Sequence, residues 1–170
     1  MCIRDRLSIN AAHDGGYKDD SGFDQQKLSY RHDVAWSGVT LASLLSLANL
    51  NQETAGFVVG EDAYKHSGEK RENPNPEAFR DNKTARWQGR FDIDLGASGT
   101  LAITPYLRYQ DMRFLQHFLL GQPLEENGLR SVGWQSAWEL SLSDALLLST
   151  GIDAEYSLSL IHISEPTRPY

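Results

Sequence analysis

The chain has 170 residues and is acidic, with 16 Lys+Arg against 23 Asp+Glu and a formal net charge of −7. That balance argues against wrapping a phosphate backbone, which needs a basic footprint, so no nucleic-acid partner is expected. One cysteine excludes a disulfide framework, and no apolar run approaches the roughly 18–20 residues of a spanning helix, which leaves spanning strands open.

In chain order, the first residues pair with the last ones as DNA. Met1-Cys2-Ile3-Arg4-Asp5 fits the codons ATG TGT ATA AGA GAC. The reverse complement of that string, with AG added, is CTG TCT CTT ATA CAC AT and encodes Leu158-Ser159-Leu160-Ile161-His162; Ile163 to Arg168 continue it. Ends that are reverse complements of one DNA string read as the translated adapter of a sequencing library. Residues 1–6 and 158–170 are therefore expected to be scar, and 7–157 an internal piece of a larger gene. Without Arg4, Arg6, Arg168, Asp5 and Glu165 the acidic excess grows by one, and the only cysteine, Cys2, falls away.

The remainder reads as strand after strand. Leu7–Ala12 is a stub, followed by a long polar connection from His13 to Gln26. Leu28, Tyr30, Val34 and Trp36 alternate with Lys27, Ser29, Arg31, Asp33 and Ala35. The tight Ser37-Gly38 turn leads into Val39–Asn49, where the adjacent Leu44 and Leu45 make both faces apolar. After a very long connection, Leu50 to Thr84, the stretch Arg86–Leu95 alternates strictly: Trp87, Gly89, Phe91, Ile93 and Leu95 on one face, Arg86, Gln88, Arg90, Asp92 and Asp94 on the other. Period two over that length is a strand signature.

The turn Gly96–Gly99 leads to a strand from Thr100 to Gln110. Its Pro105 lacks a ladder donor and is expected at an edge or a bulge. A long connection from Gln116 to Leu129 precedes Val132–Leu142, and Ser143-Asp144 turns the chain into Leu146–Tyr156. The total is about seven strands with no helical period.

The connections alternate between long and short, so the long ones gather at one end of the sheet. An outer-membrane barrel has that asymmetry, and strands of ten residues or more suit a tilted crossing. A soluble sandwich gives the same face alternation and less often the same beat of loops. Trp36 is expected beside a short turn and Trp87 beside a long loop, as two aromatic rims would be; Trp134 and Trp138 are expected nearer mid-strand. The pattern favours an all-β, antiparallel up-and-down transmembrane barrel fragment over the sandwich. As an isolated piece it should be an open, curved sheet whose scar tails lack packing, with Leu158–Ile161 able to extend the last strand. Two free edges and a greasy face should make residues 7–157 aggregate when expressed alone.

Certain strings are more particular. Asn51–Phe57, Gly60–Lys65, Asn73–Arg80, Thr104–Tyr109, Met112–Phe118 and Gly121–Gly128 resemble the barrel portion of TonB-dependent outer-membrane receptors, and the resemblance covers most of Leu28 to Ser157. It implies a barrel of about 22 strands closed by an N-terminal plug, of which this piece would be roughly a third of the wall. It also implies residence in the outer membrane, contact with its lipid, and import of a scarce nutrient, most often a ferric siderophore. Energy would come through the TonB complex, by way of an N-terminal region this chain does not contain. A passive porin-like channel and, behind it, a secreted soluble β-sandwich are the alternatives.

In that setting Arg86, Arg90 and Arg108 on the polar face would meet an anionic chelate through their planar guanidinium forks, or else pair across strands with Asp92, Asp94 and Glu139. Tyr64, Lys65, His66, Lys70 and Arg71 would offer capture in the longest loop, or simply be solvated there. His117, with Phe114 and Phe118, would cap a ligand or anchor a strand end in the membrane interface. Enzyme chemistry is not expected: Ser67-Gly68-Glu69-Lys70 has a Ser-x-x-Lys spacing but lies in a charged loop, and HExxH, phosphate-loop and GxSxG patterns are lacking. Neither a cofactor nor a metal is expected; Asp19-Asp20 and Glu125-Glu126 read as solvated loop charge, and the triplet Asn82-Lys83-Thr84 carries little meaning in a bacterial-type chain.

Overall fold

The computed structural model describes residues 2–66 and 68–164. Among them seven strands form a single open sheet in the order β1-β2-β3-β4-β5-β6-β7, each antiparallel to the next. They are β1 (Cys2–Asp14), β2 (Phe23–Trp36), β3 (Val39–Glu53), β4 (Phe79–Asp94), β5 (Thr100–Leu115), β6 (Leu124–Ser143) and β7 (Leu146–Ser164). The protein is thus all-β and up-and-down, as a section of barrel wall would be. Ser67 of the Ser-x-x-Lys string, Met1, and the tail from residue 165 lie outside the described residues.

The strands are 13 to 20 residues long, far beyond the soluble average of about five or six. All three long connections are shorter than the sequence pattern implies, because the strands run further toward them. The connections span residues 15–22, 54–78 and 116–123 at one end, against 37–38, 95–99 and 144–145 at the other. The long–short beat stands. Gly38 carries φ +74° in the tightest turn, a conformation that suits glycine.

Cross-strand register gives each face a definite content. At the short-turn end one row runs Trp36, Val39, Ile93, Leu101, Trp138. A second runs Tyr30, Leu45, Trp87, Leu107, Val132, Tyr156. Two aromatic placements therefore differ from expectation. Trp138 shares the rim row of Trp36, because β6 continues past it into a longer hairpin. Trp87 is mid-strand, because β4 begins at Phe79.

Beyond Leu47, Ala85 and Tyr109 the same face turns polar. Asn49 Nδ2 donates to Gln26 Oε1 at 2.7 Å, Asn51 Nδ2 donates to Asp81 Oδ1 at 3.0 Å, and Arg113 meets Glu126 at 3.3 Å. There the otherwise apolar face is polar, so period-two hydrophobicity vanishes while the ladder continues.

Pro105 lies in an interior strand with no bulge beside it. It is aligned with Trp134 of β6, while the β4–β5 pairing passes from Gln88↔Tyr106 to Phe91↔Ile103 in unchanged register. The missing donor is absorbed by a gap in the ladder next to Gly89. A Cβ at Gly89 would come within 3.0 Å of the Trp87 indole, whose Nε1 donates to Ser43 Oγ at 3.0 Å. Glycine lets the ring lie back along its own strand.

The tails differ from expectation in being paired, although Leu158–Ile161 do extend the last strand as expected. Cys2–Arg6 pair with Ala35–Arg31, and Leu158–Ser164 with Arg130–Leu124. Asp5 accepts hydrogen bonds from the Tyr30 hydroxyl at 3.0 Å and His32 Nδ1 at 2.6 Å. A free edge offers N–H and C=O groups to any extended chain, whatever its codons mean.

No second layer covers the sheet among the described residues. Among the described residues the buried hydrophobic ones are Ala63 and Ala78 alone, while Trp36, Leu107, Val132, Trp134, Ile152 and Tyr156 are exposed.

Candidate functional site

The polar face carries the central cluster. Arg86 on β4 and Arg108 on β5 oppose each other directly in the ladder. Like charges so placed repel unless an anion intervenes. Glu155 on β7 supplies one: it forms an ion pair with Arg108 and accepts the Tyr106 hydroxyl at 2.6 Å. Arg108 Nε also donates to Ser131 Oγ at 2.9 Å, and Ser131 is buried beneath it. The Arg108 guanidinium lies 5.4 Å from the Tyr106 ring centroid.

Among the described residues Arg86 has only an amide partner, donating from Nη2 to Gln88 Oε1 at 3.1 Å. None of the ion pairs among the described residues involves it. Arg90 pairs along its own strand with Asp92 at 2.8 Å. The expected cross-strand pairing with Asp92, Asp94 and Glu139 is therefore not formed, because residues i and i+2 already share this face. Arg86 is left as the guanidinium whose fork can take an incoming carboxylate or other planar anion.

A second cluster stands at the long-loop end of the same face. Arg80 is aligned with Phe114, its guanidinium 4.5 Å from the ring centroid. Phe118 lies 6.1 Å from Phe114, and His117 meets Phe118 edge-on at 5.7 Å. The buried His117 Nδ1 has no hydrogen-bond partner among the described residues. Register puts Phe114 on the face of Arg86 and Arg108 rather than on the apolar face.

Tyr64, Lys65 and His66 are used within their own loop. Lys65 Nζ pairs with Asp62 at 2.9 Å and lies 5.4 Å from the Tyr64 ring centroid, and His66 Nδ1 pairs with Glu69 at 2.9 Å. They do not join the arginines. The loops instead bind one another. Asp19 N donates to Arg71 O at 2.9 Å, Asn73 Nδ2 to Asp20 O at 2.8 Å, and Gln122 Nε2 to Glu77 Oε1 at 2.7 Å. The Glu77 carboxyl is held below the usual glutamate range, first by its own backbone N–H, then by the Asn75 and Gln122 side chains and the nearby His117.

The sequence pattern missed Arg80, Tyr106, Ser131 and Glu155 as site residues. Arg80 was within reach, since the even-numbered face of β4 runs 80, 82, 84, 86 without a break. Glu155 was not, because its role depends on register two strands away. Among the described residues no three metal-ligating side chains gather. The sequence matches no protein-family model and no curated protein.

Proposed function

We propose that this chain is part of the wall and outer loops of a TonB-dependent outer-membrane receptor that imports a scarce nutrient, a ferric siderophore being the best-fitting class. The carrying observation is a single long-stranded sheet with an uncovered apolar face, rimmed by Trp36 and Trp138, behind a polar face bearing Arg86 and Arg108. Hydrocarbon outside and water inside satisfy both faces at once. The receptor family itself rests on the likeness of the loop strings, from Asn51–Phe57 to Gly121–Gly128.

On this reading the interlocked loops face the cell exterior and the short turns face the periplasm. Arg86 and the Arg80–Phe114–His117 group face the lumen, where an anionic, aromatic chelate finds a guanidinium fork and ring surfaces. The chain does no covalent chemistry; it binds and positions, and the TonB complex acts through the N-terminal region of the whole protein.

Extending the gene upstream of Leu7 tests the family. A signal peptide, a TonB-gripped box and a plug domain are expected before the barrel. A barrel with no plug would replace the receptor by a passive channel, and a full-length protein monomeric in plain buffer would overturn the membrane reading altogether.

A further inference from the structure

The interlocked loops enclose a groove of about 530 Å³, within the usual size of a small-ligand site. Phe57, Val58 and Val59 line it together with Pro74 and Pro76. Phe57 is 78% exposed and Val59 83%, so both hold large apolar surface out to solvent. Hydrogen bonds fix the segments around the groove. Asn73 accepts the Gly56 N–H through Oδ1 at 3.3 Å and donates through Nδ2 to Asp20 O at 2.8 Å. Asp19 N donates to Arg71 O at 2.9 Å and closes the frame.

Asp19, Asp20 and Glu72 also line the groove. Among the described residues none of the three forms an ion pair. The cations beside them in sequence are engaged elsewhere. Lys18 donates Nζ to Gly56 O at 2.5 Å, and Arg71 donates Nε to Tyr17 O at 3.4 Å. Each is turned toward a backbone carbonyl of the facing loop, so the bonds that join the loops leave the carboxylates uncompensated.

We propose that this groove takes a basic peptide segment in which an apolar side chain stands between lysines or arginines. The apolar side chain covers Phe57 and Val59. The flanking cations meet carboxylates on two walls, Asp19 and Asp20 from residues 15–22 and Glu72 from residues 54–78. A neutral apolar ligand would leave the carboxylates unanswered. A polyamine would meet them but leave the apolar lining in water. A bare divalent cation needs converging oxygen ligands, and among the described residues no three metal-ligating side chains gather. The anionic chelate proposed for the lumen is repelled by these carboxylates, so the groove is a separate site that does not depend on the import reading.

The test uses the full-length protein recovered from the extended gene, in detergent micelles or in plain buffer, whichever dissolves it. The probe is the capped peptide Lys-Leu-Phe-Lys, compared by titration calorimetry with Glu-Leu-Phe-Glu, Lys-Ser-Ser-Lys, spermine and calcium. Lys-Leu-Phe-Lys should bind over the other four. Asp20→Asn should weaken it about threefold, as for one exposed ion pair, and Asp19→Asn/Asp20→Asn/Glu72→Gln about tenfold or more. Phe57→Ser should weaken it about tenfold through lost apolar contact. Asn73→Ala, which changes no charge but unties the frame, should weaken it too, and Glu61→Gln, in the same loop but outside the groove, hardly at all. An unchanged circular dichroism spectrum shows that each variant keeps its strands. Equal binding of Glu-Leu-Phe-Glu, or full binding by the triple variant, would overturn the charge match and the proposal with it. Equal binding of Lys-Ser-Ser-Lys or spermine would overturn the apolar contact, and tighter binding of calcium would make the carboxylates a cation site instead. Each of these failures leaves the import reading standing, and a protein that dissolves without detergent leaves the groove standing.

Discussion

Tyr106 of β5 reaches across Gly133 of β6 to donate its hydroxyl to Glu155 of β7 at 2.6 Å. A Cβ at Gly133 would come within 2.5 Å of that ring, so the glycine is what lets one side chain span three strands. The bond holds Glu155 beside Arg108 and away from Arg86. One backbone position thereby decides which arginine is free.

Gly133→Val should therefore displace Tyr106 and release Glu155. The expected cost is about 1–3 kcal/mol, the usual range for overpacking a filled site. Urea unfolding of the full-length barrel in detergent measures it. Wild-type stability in the variant would show that the ring has another place to lie.

Arg86→Gln should weaken capture of an anionic ferric chelate about tenfold, since it removes a guanidinium with no carboxylate partner. Glu155→Gln should act in the opposite direction, because it frees Arg108 to join Arg86. Quenching of tryptophan fluorescence on titration with ferric chelates of graded charge reads both. Two variants that shift affinity the same way would break the link between the pair.

Gly89→Val should lift the Trp87 indole off its own strand and break its 3.0 Å bond to Ser43. A loss of about 1–3 kcal/mol and a shift in tryptophan emission are expected. An unchanged spectrum would place the indole elsewhere.

Acid should loosen the loops through Glu77. Its carboxyl is depressed in the folded state, so its contribution is complete above the ordinary glutamate value of about 4.3 and is lost as pH falls through the lower folded value. Protection of the amides of residues 116–123, measured against the intrinsic exchange rate at each pH, should fall in that acidic window, and Glu77→Gln should make that protection independent of pH and low throughout. Protection insensitive to pH in the wild type would mean that the Gln122 contact does not hold the loop.

The isolated chain should aggregate in plain buffer. Each large apolar side chain left in water forgoes about 1.5–3 kcal/mol of burial, and only Ala63 and Ala78 are buried among the hydrophobic residues described. Sedimentation of residues 7–157 without detergent checks this; a sharp, reversible melt of a monomer would contradict it.

The strand count, the antiparallel order and the segregation of loop lengths were legible because side-chain alternation reports directly on a sheet with one apolar face. The strand ends were not. From Arg80 to Lys83, and from Asn51 to Glu53, both faces are polar, so composition reads as loop where backbone pairing continues. Trp87 and Trp138 were misplaced for the same reason: a residue's height in a sheet is set by register with its neighbours, not by distance to the nearest glycine. Arg86 and Arg108 were found by alternation alone, but which of them is neutralised depended on Glu155, a contact between strands that are not adjacent.

The pairing of Cys2–Arg6 and Leu158–Ser164 carries a wider lesson about how such sheets grow. The border of a ladder does not proofread. It weaves in whatever extended peptide is tethered nearby, so regular pairing alone does not mark residues 2–6 or 158–164 as native. Authenticity at the margin of a β-structure has to be judged from the nucleotides, since geometry there will vouch for almost anything.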